Sequence, residues 1–206
     1  MSSGHVLARV IGFGCTVLPR APYRLEQRAE GGVALEIRHG EREVVLQLRQ
    51  GARSFTLGPG VTEVGQVVDV SDGPAHDHWR IETSVFSARW PDGFVLASSP
   101  DGSSMFDLFG PDDALLFLQG PFALERLPPL ERLAAPGQAM VAIGVTSGVP
   151  FVELSYTHDG TPWRQWHHRI EHATTAVVLT TQVPLAHASA AHAASELLIG
   201  SLVRTR

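Results

Sequence analysis

Five consecutive segments decide the fold: AMVAIGVTS (139–147), VPFVELSYTHDG (149–160), TPWRQWHHRIE (161–171), ATTAVVLTTQVP (173–184) and LAHASAAHAASELLIGSLV (185–203). In the second, Val152, Leu154, Tyr156 and His158 share one face while Glu153, Ser155 and Thr157 share the other. That alternation is the period of a β-strand. Asp159-Gly160 supplies hairpin punctuation. Pro184 ends the last strand and suits the start of a helix. Beyond it, Ala190, Ala194, Leu197, Leu198 and Ile199 to Leu202 make an apolar stripe for packing on the sheet, with His187 and His192 turned outward. The pattern predicts strands near 140–146, 151–157, 163–170 and 174–182, and a helix over 186–202.

Upstream, two turns, Pro100-Asp101-Gly102 and Gly110-Pro111-Asp112-Asp113, separate strands near 94–99, 104–109 and 114–119. The run Ala114-Leu115-Leu116-Phe117-Leu118 does not alternate and reads as a strand covered on both faces. Leu124, Leu127, Leu130 and Leu133 have helical spacing, but Pro128-Pro129 breaks it. A short helix beginning near Pro129 and ending before Pro136-Gly137 is expected. Nearer the N-terminus, Val33, Leu35 and Ile37 alternate, His39-Gly40-Glu41-Arg42 turns, and Val44, Leu46 and Leu48 alternate again. This is a hairpin with a mixed-charge solvated face. Short strands near 53–57 and 66–70 flank the Gly58-Pro59-Gly60 turn. The loop Ser71-Asp72-Gly73-Pro74-Ala75-His76-Asp77-His78 marks the candidate boundary between residues 1–81 and 82–206. About 80 residues is small for an independent core, so the N-terminal strands are expected to pack on or extend the C-terminal domain.

The hairpin around Asp159-Gly160, the strand ending VVLTTQVP and the closing helix AASELLIGSL resemble the C-terminal half of PsbP-like domains. That superfamily includes PsbP, the Ran-binding Mog proteins and the bacterial DcrB-like proteins. Phe86-Ser87-Ala88-Arg89-Trp90-Pro91-Asp92-Gly93-Phe94 is similar to the family's opening turn. The resemblance covers about residues 82–206 and rests on turns and apolar positions. It implies an α+β fold, an α/β/α sandwich around an antiparallel sheet, here with an N-terminal β-rich extension. It also implies a protein-binding role, and it carries over no catalytic residue.

Composition narrows the functional classes. The 206-residue chain is 44% hydrophobic and 18% charged, values typical of a globular protein. Its net charge of −5 leaves no electrostatic footprint for nucleic acid or an anionic membrane. Residues 1–81 hold nine Arg against nine Asp and Glu; residues 82–206 hold seven against twelve, so the acidity sits there. The 16 basic residues are all Arg, which favours planar, bidentate pairing with carboxylates. A single cysteine, Cys15, excludes an internal disulfide and fits a reducing compartment. Residues 6–18 mimic a signal core, but Arg9 interrupts them and no basic region precedes them. The expected location is cytoplasmic.

Each candidate for chemistry competes with a plainer reading. His158, His167, His168 and His172 cluster in sequence, yet His167 and His168 are adjacent on a strand and point to opposite faces. No carboxylate or Cys stands at a zinc spacing beside them. His76-Asp77-His78 is a tighter pair, in a loop where such residues cap turns. Cys15 lacks a nucleophile signature, and Gly12-x-Gly14 is no phosphate loop. Asp101, Asp107, Asp112 and Asp113 surround two turns and serve them. No cofactor, metal ligand or catalytic residue is therefore expected.

The remaining bet is a surface for a protein partner. Trp163, Arg164, Trp166 and Arg169 put residue types enriched at interface hot spots on one strand. Trp163 and Trp166, three apart, face opposite sides, so one is expected in the core and the other partly exposed. The chain thus reads as a non-enzymatic protein-binding module. Its expected job is as an adaptor or chaperone for a secreted effector, or as an immunity protein neutralising a toxin. An acidic C-terminal part suits a basic partner surface. The alternatives are an enzyme or metal protein using the His-rich hairpin, and a small-ligand carrier with a groove between sheet and helix.

Overall fold

A computed structural model describes residues 7–10, 15–19, 23–27, 33–39, 42–48, 56–57, 67–72, 78–83 and 86–204. The N-terminal strands are β1 (Leu7–Val10), β2 (Cys15–Pro19), β3 (Tyr23–Gln27), β4 (Val33–His39), β5 (Arg42–Leu48), β6 (Thr56–Leu57) and β7 (Val67–Asp72). Shorter strands come next: β8 (Arg80–Glu82), β9 (Phe86–Arg89), β10 (Val95–Ala97) and β11 (Asp107–Phe109). The long ones are β12 (Leu115–Ala123), β13 (Ala139–Thr146), β14 (Val149–His158), β15 (Thr161–His172) and β16 (Thr175–Pro184). Helix α1 (Ala188–Gly200) and β17 (Val203–Arg204) close the described chain.

Every pairing is antiparallel, in two sheets. One has the order β17-β9-β8-β1-β2-β7. The other runs β13-β14-β15-β16-β12-β11-β10-β3-β4-β5-β6. The four-strand meander from β13 to β16 lies where the alternation placed it. The β4–β5 hairpin has the register read from its apolar positions, Leu35 opposite Leu46 and Ile37 opposite Val44. Because β3 pairs with β10, N-terminal strands continue the larger sheet.

The core joins the two sheets. Phe86, Ala88 and Trp90 from β9 and its turn meet Leu96, Leu108, Leu116, Leu118, Ile170, Val177 and Leu179 from the larger sheet. Ala191, Leu198 and Ile199 of α1 belong to the same cluster. In β12, Leu116 and Leu118 are buried while Leu115 and Phe117 are half-buried, so this strand alternates after all. The double-sided cover expected there is corrected to a one-sided core strand.

The fold is α+β and mostly antiparallel sheet, but not an α/β/α sandwich as such. Among the described residues α1 is the only α-helix. On the other face of the meander the 3-10 turn Leu130–Arg132 packs Leu130 on Val152 and Leu154, while a second 3-10 turn, Leu124–Arg126, buries none of its residues. Pro128-Pro129 and Pro136 limit these turns: each proline removes a donor that a longer helix needs.

Helix α1 also sits about one position from its expected face. Its buried residues are Ala191, Ser195, Leu198 and Ile199, spaced by four, three and one. Leu197, read as part of the stripe, is 37% exposed, whereas Leu198 is 0%. His192 is only half-exposed, because its ring stacks on Trp166 with centroids 4.9 Å apart. Leu198→Ala is therefore expected to cost about 2–4 kcal/mol, and Leu197→Ala under about half a kcal/mol, in urea unfolding. Equal losses would show that the helix face is misplaced.

Candidate interaction surface

Strand β15 sorts its side chains by parity. Arg164, Trp166, His168 and Ile170 share the face under α1; Trp163, Gln165, His167 and Arg169 share the other. Trp166 is 4% exposed, sandwiched into the core by His192. It offers no surface to a partner, and the expectation that it anchors one is corrected: the small residues before Ser195 let α1 lie close over it.

Trp163 is half-buried and stands at the end of the sheet, opposite Tyr156 on one side and Pro184 on the other. Its ring stacks on Tyr156, centroids 6.1 Å apart and planes 22° apart, and meets His158 edge-on at 6.2 Å. Its indole Nε1 is buried within the chain and has no hydrogen-bond partner there. Leu185, next after Pro184, is exposed. Burial raises the Tyr156 phenol above its ordinary range, so it stays neutral near pH 7. The result is an aromatic corner beside the exposed Asp159-Gly160 tip, where Asp159 adopts φ 48° and Gly160 φ 77°.

The two arginines stand apart from that corner. Arg164 Nε lies 3.4 Å from Glu153 Oε1, on the α1 face. Arg169 Nε lies 2.8 Å from Glu171 Oε1, far along the strand. The four residues thus do not form one patch; Trp163 with Tyr156 and His158 does.

The histidines are distributed as the adjacency rule requires. His167 Nδ1 lies 2.8 Å from Thr180 Oγ1 on the outer face. His168 is fully buried beside Phe151, centroids 5.3 Å apart, with neither ring nitrogen hydrogen-bonded within the chain. Burial lowers both imidazoles to about 4; for His168 the nearby His192 and His167 add to it. Among the described residues no three His, Cys, Asp or Glu come together as a metal site. Asp101 accepts from Ser103, through hydroxyl and amide, and from the Ser99 hydroxyl, which hold its carboxyl down near 2. Asp107 accepts from Ser104, yet burial raises it. These are turn and core duties. His76 and Asp77 lie outside the described residues, as do Gly12 and Gly14; of Cys15 only the strand position is described.

One exposed element carries more apolar surface than sequence reasoning assigned to it. Among the described residues, strand β13 is the last of the larger sheet and pairs only with β14. Met140, Val141, Ile143 and Val145 on it are 45–68% exposed. The available signal was a run of twenty residues, 133–152, with no charge at all. Natural sheet edges are commonly protected by charge; this one is not.

No family model matches the chain, and no curated protein matches it. Among solved structures it is similar to the crystal structure of LpqN, involved in cell envelope biogenesis of Mycobacterium tuberculosis. The TM-score is 0.41 at 17% identity, over 59% of this chain and 83% of that one. A likeness that loose carries no argument about what this chain does.

Proposed function

We propose that the chain is a non-enzymatic protein-binding module whose contact surface is the aromatic corner of Tyr156, Trp163 and His158. The observation that carries this reading is Trp163: half-buried at a sheet end beside the exposed hairpin tip, with its ring stacked on Tyr156. Such a residue brings a large apolar area held in place before binding. The PsbP-like resemblance of the 86–94 turn and the 149–203 segments agrees with a binding role. Adaptor, chaperone and immunity functions all consist of holding another protein, and a cytoplasmic setting suits each. The reading calls for no cofactor, nucleic acid or membrane. An acidic C-terminal part favours a basic partner such as a secreted effector or a toxin.

The test is to place a photo-crosslinking residue at the exposed Thr161, on the face of Trp163 and opposite His158, capture the partner in cells, and titrate it against purified protein. Trp163→Ala should weaken the complex by about 2 kcal/mol or more, roughly thirty-fold, with circular dichroism unchanged. Unchanged affinity would overturn the assignment of this corner. Loss of fold in the variant would make Trp163 a structural residue instead.

A further inference from the structure

We propose that β13 is a homodimer edge, along which two copies of this chain pair antiparallel about a two-fold axis. The inference rests on the edge and is independent of the Trp163 reading.

The occupant is identified by length, charge and register. Strand β13 is eight residues long, and at the far end of the same sheet β6 has two. Among the described residues head-to-tail growth would match β13 to a two-residue strand, whereas a two-fold contact matches the regular part of β13 to itself. The run 133–152 offers a charged partner strand no counter-charge, of either sign. It also lets two copies, each of net charge −5, meet with no like charges on the seam. An uncharged, apolar edge is complemented by a strand of the same kind, and β13 is one.

Register shifts between Met140 and Ala142, which marks the irregular end of the strand. The regular part, 142–146, is centred on Gly144. Pairing Gly144 with its own mate sets Ile143 opposite Val145 of the second copy, twice. Both residues stand on the face shared with Val152 and Pro150, so the exposed apolar strips of the two copies join. Gly144 itself is bare because the Phe151 ring occupies that space: an added Cβ would come within 2.8 Å of Phe151 Cζ. A two-fold perpendicular to the sheet keeps the faces aligned. Both Trp163 corners then lie on the same side of one continuous sheet, giving a bivalent binder.

The paired stretch, 142–146, is only about 17 Å long, so the contact falls at the small end of specific interfaces and the dimer is a weak one. Sedimentation of the full chain should show monomer passing to dimer in the micromolar range. Val145→Lys and Ile143→Lys, each at an exposed position, should stay monomeric with unchanged circular dichroism, weakening association at least ten-fold. Val203→Lys, at an exposed strand outside this edge, should associate like the wild type. Amide exchange at residues 142–146 should slow as wild-type concentration rises. In a Cys15→Ser background, Ile143→Cys combined with Val145→Cys should oxidise to a covalent dimer. A monomer at every concentration, exchange at 142–146 indifferent to concentration, or a dimer untouched by both lysines would overturn the proposal.

Discussion

Trp90→Ala is expected to lower stability by about 3–5 kcal/mol, the size of loss found when a fully buried indole leaves a cavity. Trp90 has no exposure and sits in the cluster that joins the two sheets. Its indole N–H donates to the Phe94 carbonyl at 3.0 Å, and its amide donates to the Trp79 carbonyl at 2.8 Å. The Trp79 ring meets it edge-on, centroids 5.9 Å apart. Between Trp90 and Phe94 the chain reverses through Gly93 at φ 79°, a conformation only glycine adopts without strain. Phe94 then fills the space beside Gly110, where a Cβ would lie 2.3 Å from its ring. Trp90 thus ties β9, the turn and β10 together, and its removal also strands the Phe94 carbonyl. Trp90→Phe should recover most of the loss, leaving about 1–2 kcal/mol for the missing hydrogen bond and volume. Urea unfolding of both variants decides this; a loss under about 1 kcal/mol for alanine would remove Trp90 from the centre of the core.

The limits of the sequence reading come from the same packing. Alternation is a local property, so β14, β15 and the β4–β5 hairpin could be read with their registers. The face of α1 could not, because its apolar positions are largely alanine and nearly surround it. What chose the buried line was fit: Ser195, polar but small, lies under the helix, while the larger Leu197 turns out. The Trp163 and Trp166 parity was legible; which of them would be covered depended on where α1 crossed. The edge character of β13 was the least legible feature. Strand order is set by partners distant in the chain, and only the absence of charge over 133–152 pointed to it. The shortening of the 124–133 pattern to 3-10 turns was visible in its prolines, but the loss of a second helical layer was not drawn from them.

Acid should weaken this fold earlier than its carboxylates alone would require. His167 and His168 have folded pKa values near 4 against an ordinary 6.5, because burial disfavours the imidazolium. For a depressed histidine the unfolded chain takes up the proton first. Stability is then complete above about pH 6.5, falls as the pH drops toward 4, and levels off below it, where both states are protonated. Each ring accounts for about 3 kcal/mol over that window, and the two rings interact, so their contributions are not simply additive. His168 has no hydrogen-bond partner in the chain to accept its second proton, and the neighbouring His192, itself paired with Glu196 at 3.5 Å, opposes a second positive charge. Asp101, held near 2, loses its stabilising contribution only below about pH 4, outside this window. Asp107, whose carboxyl is raised, shifts stability the other way and partly masks the histidines. His168→Leu removes one titrating ring while keeping an apolar neighbour for Phe151. Between pH 6.5 and 4 its urea midpoint should fall less than that of the wild type, by an amount equivalent to about 3 kcal/mol. If the two proteins lose stability in parallel, His168 titrates alike in the folded and unfolded chain, and α1 does not exclude water from the sheet beneath it.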